Sequence, residues 1–282
     1  DKLYAHKYRT EKDYKREFEF LKEVDSKALQ SETRNLMVAY KNFFRGLKKG
    51  QEIGFPKFKS RKSKQSYTTF NINNNIKVNF QKRKIKNPKL KTWINYRDDR
   101  TFDEKIKHIT LSKTKSGKYY VSILIERESS IRPMKTIQAD KIKAFDMSCS
   151  DFLKSTNFAM SSPRFYRKEE RKLKKLHRTM SWKKRSSNNR AKARLKLARQ
   201  YEKIYDRKLD WVHKLTNELT NQYDCIILED LNVKAMTQFN TGIAKSVSLD
   251  FSWNQFKNIL EYKMEQEGKH VIYVDRFFPS SK

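Results

Sequence analysis

Three short apolar runs, each closing on an acidic residue or a turn and separated by long helical tracts, constrain the fold of this chain more than any other feature. Lys141 to Phe145 runs into Asp146, Cys225-Ile226-Ile227-Leu228 runs into Glu229, and His270-Val271-Ile272-Tyr273-Val274 stands near the end. Runs of four or five apolar residues are the right length for buried strands. Between the first two lie helical patterns from about Arg164 to Met180 and from about Asn189 to Gln222, broken by Ser186-Ser187-Asn188-Asn189. A last helix over Ser252 to Glu267 carries Trp253, Phe256, Ile259, Leu260 and Met264 on one face, with Gly268 just past its end. Strands spaced by helices of this length predict an α/β sheet rather than a β-sandwich.

The N-terminal half reads differently. Residues 14 to 49 show helical spacing of Leu29, Leu36, Tyr40, Phe43, Phe44 and Leu47, with a cap at Asp25 or Ser26 and a stop at Gly50. Gly54-Phe55-Pro56-Lys57-Phe58-Lys59-Ser60-Arg61-Lys62 then bars regular helix while alternating rings with cations, a composition suited to lying along a phosphate chain. From Ser66 to Glu128 short alternating runs predict strands. The clearest are Ile106 to Leu111 and Tyr119 to Ile125, joined as a hairpin by Thr114-Lys115-Ser116-Gly117. This region is expected to form a small antiparallel barrel or curled sheet, and Ser129 to Asp140, with Pro133, is the expected linker. The fold class expected is therefore α+β followed by α/β, divided at 1–65, 66–135 and 136–282.

Charge narrows the partners. The 282 residues hold 65 Lys and Arg against 32 Asp and Glu, a formal net charge of +33. Such an excess repels itself unless neutralised, and a phosphate backbone is the usual neutraliser. No apolar run approaches the roughly 20 residues that cross a bilayer, and no signal-peptide pattern opens the chain, so a soluble, cytoplasmic protein with no membrane partner is expected. Cys149 and Cys225, without a Cys-x-x-Cys pair, build neither a disulfide framework nor a zinc site. They are expected to be buried thiols.

Two sets of residues carry chemistry. Asp146 and Glu229 stand at the C-terminal ends of strands expected to be central, and carboxylates on neighbouring strands can share hard cations such as magnesium or manganese. By spacing alone two readings stand, a metal pair and a pair of solvated strand ends or helix caps. The second set is the helical pair, where Arg164, Arg167, Lys168 and Arg171, then Arg190, Arg194 and Lys196, crowd like charges onto helical neighbour positions. A polyanion alongside would relieve that repulsion, and Lys57, Lys59, Arg61 and Lys62 add to the same reading.

Several motifs in order resemble the transposon-encoded TnpB family. They are Phe20 to Ser26, Lys41 to Arg45, Gly54 to Ser60, Pro163 to Lys168, Ser186 to Arg190, Ile227 to Met236, Lys245 to Val247 and Val274 to Lys282. The resemblance spans almost the whole chain. It implies an RNA-guided protein related to the type V CRISPR effectors, with guide RNA and target double-stranded DNA as partners. It also implies a helical recognition domain, a β-barrel wedge domain and a RuvC-like nuclease domain of RNase H fold. By that match Asp146 corresponds to the first catalytic acid and Glu229 to the second, with Mg2+ or Mn2+ as cofactor.

The departures from the family pattern matter as much. The family's zinc ribbon and third catalytic Asp would follow Lys282, the wedge domain's opening strand would precede Asp1, and a start at Asp1 rather than Met is expected of a trimmed segment. Around the first acid the small glycine-flanked turn is replaced by Ala144-Phe145-Asp146-Met147-Ser148-Cys149, and Asp151 to Ser162 lacks an Asp-Gly turn. Asp230 is expected to point away from the site, Asp250 to cap the last helix, and Asp275 to belong to a structural motif. Three functions follow as expectations. One is a segment of a working RNA-guided endonuclease, another a nuclease-dead RNA-guided repressor, and the third a plain structural nucleic-acid-binding protein. In each case residues 1–282 alone are expected not to cut DNA.

Overall fold

A computed structural model describes residues 9–60, 63–128, 132–147, 151–231 and 250–275. The chain forms two compact units, Asp1–Glu128 and Ser129–Lys282.

In the first unit, α1 (Glu11–Glu17) and a 3-10 turn (Glu19–Lys22) precede α2 (Ser26–Lys48). The single helix expected from residue 14 is thus broken twice. Phe18 takes an extended conformation (φ −114°, ψ 99°) beside its ring neighbour Phe20, and Asp25 is extended as the N-cap of α2. Asp25 gives α2 no side-chain cap; its carboxylate accepts instead from the Thr69 hydroxyl, fastening the helix start to the first strand. Gly50 ends α2 in the left-handed region (φ +65°), donating to the Leu47 carbonyl.

Six strands follow: β1 (Gln65–Phe70), β2 (Lys77–Asn79), β3 (Lys84–Lys86), β4 (Ile94–Asn95), β5 (Lys105–Lys113) and β6 (Tyr119–Glu126). They form two antiparallel sheets, ordered β1-β5-β6 and β2-β3-β4. Ile76, Ile85 and Ile109 are buried together, packed by Val78, Ile94, Val121 and Ile123. The β5–β6 hairpin matches expectation, with Gly117 (φ +89°) in its turn. The barrel does not: among the described residues the sheets stay separate. Barrel closure needs strands long enough to tilt and stagger around a ring, and β2, β3 and β4 offer only two or three residues each.

The second unit contains β7 (Ile142–Phe145), β8 (Leu153–Ser155), β9 (Phe158–Met160), α3 (Phe165–Ser181), α4 (Asn188–Gln222), β10 (Cys225–Glu229), α5 (Trp253–Gln266) and β11 (His270–Val274). The expected α/β sheet is present, with β7, β10 and β11 all parallel and β10 central. A two-residue turn at Thr156-Asn157 makes β8 and β9 a hairpin, which meets β7 through an antiparallel bridge between Asp146 and Lys154. Phe145, Phe152, Val212, Leu219, Ile226, Leu228, Phe251, Trp253, Phe256 and Leu260 fill the core. These aromatics of α5 are therefore structural. The expected linker is partly fastened: the Lys135 amide donates to the Gly268 carbonyl at 2.8 Å, and Arg132 pairs with Glu267. Gly268 (φ +66°) is required there, because a Cβ would lie 2.5 Å from the Pro133 carbonyl oxygen. Cys225 is a buried free thiol, its ionisation held off by burial, and Cys149 lies outside the described residues. Among the described residues no helix is long and apolar enough to cross a membrane.

Candidate carboxylate site and basic helical hairpin

Parallel pairing of β7 with β10 sets Phe145 opposite Leu228, so the next residues of the two strands, Asp146 and Glu229, come side by side. The backbone fixes both. Asp146 exchanges two hydrogen bonds of 2.8 Å with Lys154, and beyond Glu229 the Asp230 amide donates to the Val274 carbonyl at 2.9 Å. Asp146 is exposed and Glu229 half-buried. The Glu229 carboxyl is held above its ordinary range by burial first, then by the charge and hydrogen bonding of Asp146, while the Lys257 ammonium pulls the other way. The result is an open anionic notch with one carboxyl reluctant to ionise.

Two other acids stand near this end of the sheet. Asp230 faces Lys257 at 3.3 Å and lines a shallow polar pocket with Asn254, Asn258, Glu261 and Tyr273. Asp275, just past β11, is exposed. Among the described residues no cluster of three Asp, Glu, His or Cys could hold a metal ion. Asp250 is a cap, but of another helix than expected. Its buried carboxylate accepts from the Tyr166 amide at 2.9 Å in the first turn of α3, with the Arg167 guanidinium 3.7 Å away. The last helix, α5, instead starts at Ser252, which is left-handed (φ +51°) and makes no side-chain cap.

Helices α3 and α4 form an antiparallel hairpin closed by Leu173, Leu197 and Ile204, with Phe165, Leu176 and Met180 packed against them. An apolar seam on the inner faces leaves the cations outside. Lys168, Arg171, Arg194 and Lys196 are exposed. Arg164, in the left-handed region (φ +48°), begins α3, and Arg167 faces Asp250. Arg190 has a different task from the one expected. Its guanidinium donates to the carbonyls of Met180 (2.9 Å) and Lys183 (3.0 Å), tying the end of α3 to the start of α4. In the first unit Lys57 is exposed, whereas Lys59 pairs with Glu32 of α2 at 2.8 Å. Phe58 is fully exposed; Phe55 is 60% exposed although it packs edge-on against Tyr40 and Phe43. Arg61 and Lys62 lie outside the described residues.

Comparison with known proteins bears on this arrangement. The profile of OrfB_IS605, a probable transposase family, matches residues 122–240, and that of the Cas12f1-like TNB domain matches residues 253–282. A protein of Streptomyces pristinaespiralis named "Putative RNA-guided DNA endonuclease" is 30% identical over 269 residues. A protein of Escherichia coli K12 bearing the same name with the suffix InsQ is 29% identical over 285 residues. Each alignment takes in 94% of this chain. These matches agree with the resemblance to the TnpB family. The chain spans 63% and 66% of the length of those two relatives. Among solved structures, a cryo-EM Cas12f1–sgRNA–target DNA complex aligns at a TM-score of 0.46 and 12% identity. That alignment covers 82% of this chain and 58% of that one, a likeness too distant to transfer any residue's role.

Two residues escaped sequence reasoning. Lys257 is nearly buried, 11% exposed, between Asp230 and the Tyr273 ring, 4.6 Å from the ring centroid. Its place on the polar side of an otherwise aromatic helix was the available signal. Trp182 is 82% exposed in the turn between α3 and α4, and an indole inside the run Ser181-Trp182-Lys183-Lys184-Arg185 was the signal there.

Proposed function

We propose that this chain is the nucleic-acid-handling part of an RNA-guided DNA-binding protein. In this reading guide RNA and target double-stranded DNA are its partners, and Asp146 and Glu229 are two acids of a RuvC-like, metal-dependent nuclease site. The names of its relatives support the RNA-guided part. The observation that carries the site is the pairing of Asp146 with Glu229 at the ends of adjacent parallel strands, with Glu229 raised by burial and by Asp146. A short hairpin bridged to one side of β7 and parallel strands on the other agree with an RNase H-type sheet. The first unit, helices and two small sheets, is in this reading the recognition and wedge portion, divided near residue 65.

The carboxylate pair suits an oxygen-seeking divalent cation, Mg2+ or Mn2+, since after burial it is the neighbouring Asp146 charge that makes Glu229 reluctant to ionise. Such a cation supplies Lewis-acid chemistry to a phosphodiester when bound. The chain's own part is to hold two carboxylates side by side at the ends of paired strands. Hydrolysis through two cations needs enough carboxylates to fix both, and two side chains fall short. We therefore favour guided binding without cleavage for residues 1–282.

The test is a titration with Mn2+ of the wild-type chain, Asp146→Asn and Glu229→Gln, read by calorimetry and by melting temperature. A metal-dependent rise in the wild type, lost in both variants, is expected. Equal responses in all three would refute the site.

A further inference from the structure

We propose that the tip of the α3–α4 hairpin is a stacking platform for an unpaired base of the resident RNA, with Trp182 as the stacking surface. The inference rests on the RNA-guided reading and adds to it a specific surface and a specific kind of contact.

The indole is unusual in two respects. It is 82% exposed, whereas Trp253 is fully buried and Trp93 only 41% exposed. It stands on a fixed support. The Trp182 amide donates to the Arg178 carbonyl at 3.1 Å, and the Lys183 amide to that of Met180 at 3.3 Å. The Ser187 hydroxyl donates to the Lys184 carbonyl at 2.8 Å and accepts from the Arg190 amide at 3.2 Å. Arg190 closes the turn from the other side through the carbonyls of Met180 and Lys183. A ring held on such a frame loses little freedom when it takes a partner.

Its surroundings select the partner. Arg178, Lys183, Lys184 and Arg185 are exposed around it, and no Asp or Glu occurs between Glu170 and Glu202. An exposed ring inside a purely cationic field fits a polyanion that carries flat rings of its own. Single-stranded nucleic acid has both, and base–aromatic stacking tolerates any base sequence. Between RNA and DNA, the like-charge crowding on α3 and α4 is a standing cost to the free protein. Relief must come from a partner that is present whenever the protein is folded. Under the guided reading that partner is the guide, and DNA visits only during target search.

The experiment compares wild type, Trp182→Ala and Trp182→Phe for binding to an unstructured RNA 12-mer, to the same RNA with one abasic residue at each position in turn, and to DNA of the same sequence. Melting temperature of each protein is the control, and an exposed indole predicts no change in it. For RNA, Trp182→Ala should weaken binding about 5- to 150-fold, the range of one lost base–aromatic stack. Trp182→Phe should keep most of the affinity. The slope of log K against log salt should be the same in all three, because a ring carries no phosphate contact. One abasic position should erase the difference between wild type and Trp182→Ala. Unchanged RNA affinity in Trp182→Ala, with wild type binding normally, overturns the inference and leaves the RNA-guided reading in place. A loss confined to DNA assigns the platform to DNA and overturns it as stated. Wild type that binds no RNA at all would overturn the guided reading itself.

Discussion

Asp250 lies 84 residues from the amide it caps, and its side chain is fully buried. Three groups depend on it: the Tyr166 amide, the Arg167 guanidinium and the buried Lys208 ammonium, whose proton burial weakens and Asp250 helps retain. Removing the buried carboxylate takes its interaction from all three at once. Asp250→Ala should therefore cost about 3–5 kcal/mol in chemical denaturation, and Asp250→Asn less, since its amide oxygen still accepts from Tyr166. Gly268 is a second position with no tolerance. Gly268→Ala adds the left-handed penalty of roughly 1–2 kcal/mol to a clash with the Pro133 carbonyl, and its melting temperature should fall accordingly. Glu229 gives a prediction of opposite sign. Its folded-state pKa is raised, so ionisation opposes folding: the penalty is absent below the ordinary glutamate range and complete above the raised value. In metal-free buffer Glu229→Gln should melt higher than wild type at pH 7, the gain shrinking to nothing as pH falls below about 4, where Glu is protonated in either state.

At the scale of elements, α3 and α4 show what periodicity can and cannot tell. Both helices were legible to within a residue, running Phe165–Ser181 and Asn188–Gln222 in the structure, and their seam of Leu173, Leu197 and Ile204 has the spacing of a covered helical face. The roles of individual cations were not legible. Arg190 and Arg194 share one helix, yet Arg190 is spent on two carbonyls of the turn while Arg194 is exposed; what separates them is the arrival of α3, a tertiary fact. Arg190→Ala should thus lower the melting temperature and impair binding through the turn. Arg194→Ala and Lys196→Ala should leave melting unchanged and reduce the magnitude of the salt slope for RNA by about one each if each contacts a phosphate. The helix expected from residue 14 to 49 is interrupted where Phe18 turns extended, while Asp25 stands at the expected cap position of α2 without capping by its side chain. Asp25 looks like a local cap, but Thr69 of β1 takes its carboxylate, and no window of sequence around Asp25 contains Thr69.

For the whole molecule, the parallel sheet was legible because Ile142 to Phe145, Cys225 to Leu228 and His270 to Val274 are short, apolar and far apart, a pattern few topologies accept. The barrel was not, since alternation in Lys77–Asn79 or Lys84–Lys86 predicts a strand without saying how its edges are used. The candidate site followed the sheet: once β7 and β10 pair in parallel, Asp146 and Glu229 must be neighbours. With a net charge of +33, RNA affinity should fall steeply with salt, by orders of magnitude between 50 and 200 mM if about 6–10 phosphates are contacted. Residues 1–282 loaded with guide RNA should retain target DNA in Mg2+ or Mn2+ and leave it uncut. Cleavage abolished by both Asp146→Ala and Glu229→Ala would overturn that expectation and make Asp275 the next acid to replace.

The cap that Asp250 places on α3 also sets an order of events. A chain emerges from the ribosome N-terminus first, so α3, α4 and their apolar seam are available long before residue 250 leaves the exit. Until then the first turn of α3 lacks the Asp250 carboxylate that accepts from the Tyr166 amide and faces Arg167. The basic hairpin is thus made early and finished late, by a stitch from beyond β10. A nascent chain halted before Asp250 would carry its most cationic element in its least secured form.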